Sequence, residues 1–207
     1  MRIARTNLLK SIPSLFAAIA LLPLAAAQEI NTEQILGGRP DSPVRIEVFS
    51  DFQCPACKNF YLDTVRQVLR EYAAEDKVCV IYHEFPLKMH QFSRLAARYS
   101  LAAQRLGQRQ WRAVMEALYS NQSQWSLDGS IDAVVAKVLD LEDLKKVRKL
   151  VEDATVNDSV NRDMTLGNQK EVNHTPTIFI YDGSKEQKVV GGLEYPLLKE
   201  YIDRIVK

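Results

Sequence analysis

Residues 52–61 read FQCPACKNFY, and the two cysteines in this stretch, Cys54 and Cys57, decide how the rest is read. Cysteines with two residues between them suit half of a zinc site, a haem attachment, a structural staple or a redox couple. Haem attachment needs a histidine directly after the second cysteine, where Lys58 stands. A closed zinc site needs four ligands, usually two such pairs. Cys79, His83, His90 and His174 could complete it, and none has a paired spacing, so no metal is expected. A disulfide closing so small a loop restrains the unfolded chain little. The pattern favours redox exchange, with no cofactor beyond the sulfurs.

The flanks give this pair a setting. PVRIEVFS (43–50) alternates Val44, Ile46 and Val48 with Arg45, Glu47 and Phe49, the period of a strand. After the cysteines, Phe60, Val65, Val68, Leu69 and Tyr72 recur at near-helical spacing, so the pair opens a helix. Pro55 suits the first helical position, where a missing N–H costs little. KVCVIYHEF (77–85) is a second, buried strand, and the crossover has the length a parallel pair needs. A helix start presents unpaired N–H groups and the positive end of the macrodipole. A Cys54 thiolate is stabilised there; such settings lower a thiol from about 8.5 to about 3.5–7.5. Cys57, one turn further on the same face, is placed to resolve a mixed disulfide.

From 90 to 170 strand patterns vanish. Trp111, Val114, Met115 and Leu118 follow helical spacing, as do Ile131, Val134, Val135, Val138 and Leu139, then Leu144, Val147 and Val151, then Val156, Val160 and Met164. Four or five amphipathic helices are expected, separated by polar breaks such as SNQSQ and DGS. TPTIFIYDG (175–183) and KVVGG (188–192) read as a hairpin. The closing helix carries Leu197, Leu198, Tyr201, Ile202 and Ile205 on one side. Residues 28–42 read as a polar loop marked by Gly37, Gly38 and Pro40.

The first 27 residues have a basic head (Arg2, Arg5, Lys10), a short apolar middle and an Ala25–Ala27 end. That is the layout of a secretory signal peptide cut before Gln28, which places the mature chain in the periplasm or another extracytoplasmic space. The full chain has 27 Lys and Arg against 26 Asp and Glu; without the signal 24 stand against 26. Nothing in this balance makes a nucleic-acid footprint. In an oxidising compartment a disulfide persists. The third cysteine, Cys79, is read as a small buried hydrophobe in its strand.

SDFQCPACKNF, FPLKMH, the AARYSLAA helix and VNHTPTIFIYDG together resemble the DsbA-like thiol-disulfide oxidoreductases. The resemblance covers the mature chain in order and is nearest the subgroup whose block reads SDFQCPxC. It implies an α/β chain with a thioredoxin-like mixed sheet, βαβ…ββα, and an inserted all-helical subdomain. The expected division is 28–89 for the first half, 90–170 for the helical insertion and 171–207 for the second half. It further implies that Pro176 is cis and faces the cysteine pair, and that Thr175 offers its backbone to substrate as an added strand.

The chain departs from the family at Val48, six positions before Cys54, where many members carry a buried acid linked to proton transfer. Alternation turns neighbouring Glu47 to the opposite face. Water, Glu84 or a histidine is left for that task, and His174, two residues before Pro176, is placed either to favour the Cys54 thiolate or to lie in a solvated loop. His83 and His90 are read as structural or exposed, and Phe52 and Phe85 as core side chains flanking the site.

The resemblance implies protein thiols or disulfides as substrates and a membrane, quinone-linked redox partner. An oxidase donating the Cys54–Cys57 bond is the leading reading. An isomerase or reductase would use the same chemistry, although the roughly fifteen residues before the first strand are few for the N-terminal dimerisation domain such isomerases carry. A peptide-binding or chaperone module, with the cysteines only a staple, is the third.

Overall fold

The computed structural model describes residues 31–206; the segment read as a signal peptide lies outside them. Strand β2 (Val44–Ser50) is the middle of a five-stranded sheet of order β1-β3-β2-β4-β5. Strand β3 (Val78–Glu84) runs parallel to it and β4 (Thr177–Asp182) antiparallel. Strand β5 (Lys185–Val190) closes the hairpin on β4 at one edge. At the other edge β1 (Ile35–Gly37) pairs antiparallel with β3. The period of β2 sorts its side chains. Val44, Ile46 and Val48 enter the main core, while Phe49 joins a second cluster on the opposite face. Glu47 shares that second face and pairs with Arg45 and Lys170. Every residue of β3 is buried, as a parallel strand covered on both sides requires.

The stretch expected to be a loop, 28–42, holds a short turn of 3-10 helix (Thr32–Gln34) and β1. Three residues are too few to show alternation. A distant cation supports the strand: the Arg112 guanidinium, in the helical block, donates to the carbonyl of fully buried Leu36.

Helix α1 (Pro55–Phe60) continues through one π-helical turn (Tyr61–Val65) into α2 (Arg66–Glu71). Six helices then follow where four or five were expected: α3 (Ser93–Gln104), α4 (Gln108–Ser120), α5 (Gln122–Asp128), α6 (Ile131–Val135), α7 (Leu141–Val151) and α8 (Ala154–Gln169). The SNQSQ break shrinks to a single residue. The Asn121 side chain donates to the Ala117 carbonyl, and the buried Trp125 indole N–H donates to the Leu118 carbonyl, which draws the polar segment into α5. Val138, expected on the apolar stripe, lies beyond α6 and is exposed.

Helices α3, α4, α6 and α7 pack against one another over the cysteine side of the sheet, whereas α8 reaches the opposite face. A Cβ at Gly167 would sit 2.5 Å from the Phe85 ring, so only glycine lets α8 approach so closely. Asp163 of α8 accepts from the Glu84 N–H (3.0 Å) and pairs with His83 Nδ1 (3.3 Å). Helix α9 (Tyr195–Ile205) buries Leu198 and Ile202; Leu197, expected beside them, is exposed. Among the described residues no helix is long and apolar enough to cross a membrane.

Candidate active site

The end of β2 and the start of α1 are joined by four residues, 51–54, and one carboxylate organises them. Fully buried Asp51 accepts from Gln53 N–H (2.7 Å), Leu87 N–H (2.8 Å), the Ser93 hydroxyl and His90 Nδ1 (2.8 Å). The turn is thereby fastened to the connection between β3 and α3. The Asp51 carbonyl accepts from Cys54 N–H (3.1 Å), and its own N–H donates to Cys57 Sγ (3.4 Å). The helical block grips the same turn from outside. Gln122 donates to the carbonyls of Phe52 (2.7 Å) and Cys54 (3.0 Å), and Gln53 donates to the Ser126 carbonyl (3.1 Å).

Cys54 occupies the N-cap of α1 with extended backbone, and Pro55 takes the first helical position. Its side chain is 8 % exposed, whereas Cys57 is 0 % exposed. The Cys54 thiol is pushed down to about 5. The main cause is the Cys57 S–H, which donates to the Cys54 thiolate; the N–H of Cys57, the Thr175 hydroxyl and the N–H of Ala56 add to it against the cost of burial. Cys57 moves the other way, raised well above the ordinary thiol value by burial and then by the adjacent Cys54 sulfur. The two sulfurs thus divide the labour of exchange: one ionises at the surface, and the other keeps its proton inside.

Across from Cys54 lies the turn before β4. The Thr175–Pro176 bond is cis, and Cys54 Sγ lies 3.4 Å from the Thr175 carbonyl, to which the thiol donates. The Pro176 carbonyl accepts from Gly191 N–H (2.8 Å). An open groove of about 890 Å³ runs beside the pair, between Ala56 and Asn59 of α1 with Asp63 of the π-helical turn on one side and the segment from Gly191 to Tyr195 on the other.

Cys54, Cys57, Thr175 and Pro176 therefore meet at one place. His174 does not join them through its ring: the residue is exposed, and its carbonyl accepts from the Thr177 hydroxyl. Glu84 lies deeper, in register with Ser50 on the adjacent strand. Its carboxyl is buried and is held un-ionised by burial above all, against which the Ser100 hydroxyl acts, and the charges of Asp163 and Asp51 add to the push of burial. His83 stacks on Phe49 at 4.5 Å on the far side of the sheet, and His90 is tied to Asp51. Phe52 and Phe85 are both buried, Phe52 against Tyr82 and Tyr119. Cys79 is buried in β3 and burial pushes its thiol up to about 11, so it stays a thiol.

Sequence reading passed over Asp51, Gln53, Gln122, Ser50 and Tyr119. For Asp51 a signal existed, since an aspartate between a strand and a helix start commonly caps nearby N–H groups. For the others none did, because their side-chain partners lie 37 or more residues away.

A family model described as thioredoxin matches residues 31–204. The chain belongs to the thioredoxin family. Disulfide bond formation protein D of Bacillus subtilis is 24 % identical to this thioredoxin-family chain over 176 residues, 82 % of this chain and 76 % of that one. The crystal structure of alpha-DsbA1 of Wolbachia pipientis superposes with a TM-score of 0.72 at 20 % identity, covering 86 % of this chain and 92 % of that one. That of oxidised BdbD of Bacillus subtilis gives 0.63 at 23 % identity, over 82 % and 90 %. Both structures share the sheet with its helical insertion. The DsbA-like resemblance drawn from the motifs holds, and the chain is a thiol-disulfide oxidoreductase of that kind.

Proposed function

We propose that the protein oxidises dithiols of exported proteins outside the cytoplasm, by exchange with its Cys54–Cys57 disulfide. The observation that carries this direction is the Cys54 sulfur, lowered to about 5 beside a Cys57 that resists ionisation. A thiolate this stable favours the reduced form and so makes the disulfide a strong oxidant. A substrate thiolate attacks Cys54 Sγ, the bond to Cys57 breaks, and a mixed disulfide forms. A second substrate thiolate then takes the substrate sulfur and leaves Cys54 as thiolate. The groove between Asn59 and Gly191 suits the extended segment around the substrate cysteine, and the Thr175 backbone is offered to that segment as an added strand. Location rests on the signal-peptide layout of residues 1–27, and reoxidation on a membrane quinone-linked partner of the kind the DsbA-like resemblance implies.

A redox titration of the purified protein against glutathione tests the direction. A potential well above that of thioredoxin, about −270 mV, supports the oxidase; a value near thioredoxin's overturns it.

A further inference from the structure

The groove beside the cysteine pair has a carboxylate on each wall and apolar side chains between them. Asp63 of the π-helical turn stands on one wall and Glu194, at the start of α9, on the other; Phe60, Leu193 and Pro196 line the space as well. Among the described residues no lysine, arginine or histidine lines it. Both carboxylates are exposed. The arginines that follow Asp63 along the helix are engaged elsewhere, Arg66 with Glu116 (2.9 Å) and Arg70 with Glu71 (3.0 Å). Lys58 of α1 lies two residues from Ala56, a spacing that turns it away from the groove. Glu194 occupies the N-cap of α9, yet its side chain makes no cap hydrogen bond, so its carboxylate does not serve the helix. Two contacts hold the walls in place. The Thr64 hydroxyl donates to the Leu193 carbonyl (3.0 Å), and Gly191 N–H donates to the Pro176 carbonyl (2.8 Å). Gly192, at φ +80°, lets the segment close on α1, since a Cβ there would stand 2.9 Å from the Phe60 ring.

We propose that this groove selects substrate segments carrying a lysine or arginine near the cysteine, with Asp63 and Glu194 as the residues that set the preference. This deepens the oxidase reading and rests on it. The three kinds of side chain meet the groove differently. An acidic one brings like charge against both walls, and an apolar one gains only from Phe60 and Leu193. A lysine or arginine uses both features, laying its methylene stem on the apolar surface while its charged head reaches a carboxylate. The spacing locates it. Asp63 is nine residues past Cys54, about 13 Å along a helix, which an extended segment covers in about four residues. The carboxylates take no part in the sulfur exchange. They act on the encounter and on the lie of the segment, and thus on which substrate thiolate reaches Cys54.

Three dithiol peptides test this, alike except at the residues four before and four after the cysteine pair, which are lysine, norleucine or glutamate. Their oxidation by the disulfide form of the protein is timed at low salt. The lysine peptide is expected to react about fivefold faster than the glutamate peptide, with norleucine between them. The ratio should fall towards one in about 0.5 M salt, where exposed charges are screened. Asp63→Asn and Glu194→Gln should each lower it, and the double variant Asp63→Lys, Glu194→Lys should invert it. Both rates are read on the same preparation, so a loss of folded protein cancels in the ratio, and the salt series on the unaltered protein needs no variant. A ratio near one at low salt overturns the proposal, as does a ratio that neither salt nor the substitutions change, or a norleucine peptide as fast as the lysine one. In each of those outcomes the peptides are still oxidised and the oxidase reading stands. Oxidation of none of the three overturns that reading, and this proposal with it.

Discussion

Two buried carboxyls stand within one strand width of each other, and the site treats them oppositely. Asp51, at the mouth beside Cys54, collects two backbone N–H groups, a hydroxyl and an imidazole. Glu84, one layer inward beside Ser50, draws at most on the Ser100 hydroxyl among the described residues and keeps its proton. The cysteines repeat the contrast. Cys54 meets the first N–H groups of α1 and ionises, whereas Cys57 is enclosed and does not. Depth alone does not set this difference, for Asp51 is as buried as Glu84. What differs is the supply of donors, and that supply is largest where a strand ends and a helix begins.

The contrast breaks most visibly at Cys54. Cys54→Ser is expected to reduce insulin-reduction and peptide-oxidation activity to the rate of protein-free solution. Retained activity would show that the cysteines are only a staple, as a peptide-binding module requires. Asp51→Ala comes next, because it leaves two buried N–H groups, a hydroxyl and His90 without their acceptor. A loss of about 3 kcal/mol or more is expected in urea unfolding; a change below about 1 kcal/mol would mean that the turn is held by the Gln53 and Gln122 contacts instead.

Acidity sharpens the comparison between the sulfurs. The folded Cys54 value is depressed, so the thiolate contributes stability above the unfolded value, about 8.5, and loses it as pH falls through about 5. The disulfide form has no such group. The stability difference between reduced and oxidised protein should therefore rise with pH between these limits, read by paired thermal melts. Cys57, whose value is raised, is protonated folded and unfolded across this window and does not blunt the trend. A flat difference would place the Cys54 value near that of an ordinary thiol.

The smallest effect belongs to Glu84. A carboxyl with a raised folded value contributes its stability below the unfolded value, about 4.3, and loses it as pH rises towards the folded one. Glu84→Met should therefore raise stability near neutral pH, by about 1 kcal/mol or roughly 2–4 °C in Tm, with the gain vanishing in acid. A loss at neutral pH instead would mean that the carboxyl has a partner worth keeping.

Much of this architecture was legible because it is local. The alternation of Val44, Ile46 and Val48, the helical spacing after Cys57, Pro55 at the first helical position and the β4–β5 hairpin all rest on neighbours in the chain. The misreadings have one origin. Strand β1 is shorter than the pattern that would reveal it and is held by Arg112, 76 residues from its acceptor. Helix α5 is made from residues that read as a break because Trp125 finds a buried place against α4. Leu197 and Val138 fit their stripes by spacing, yet both are exposed.

The order of residues by itself determined the cysteine pair at a helix start and the alternating faces of the strands around it. Those follow from bond geometry and the periods of 2 and 3.6, which act over a few residues. Only the tertiary structure decided which groups are held un-ionised: Cys57 and Glu84 keep their protons because remote segments enclose them, and local periodicity does not specify which segments arrive there.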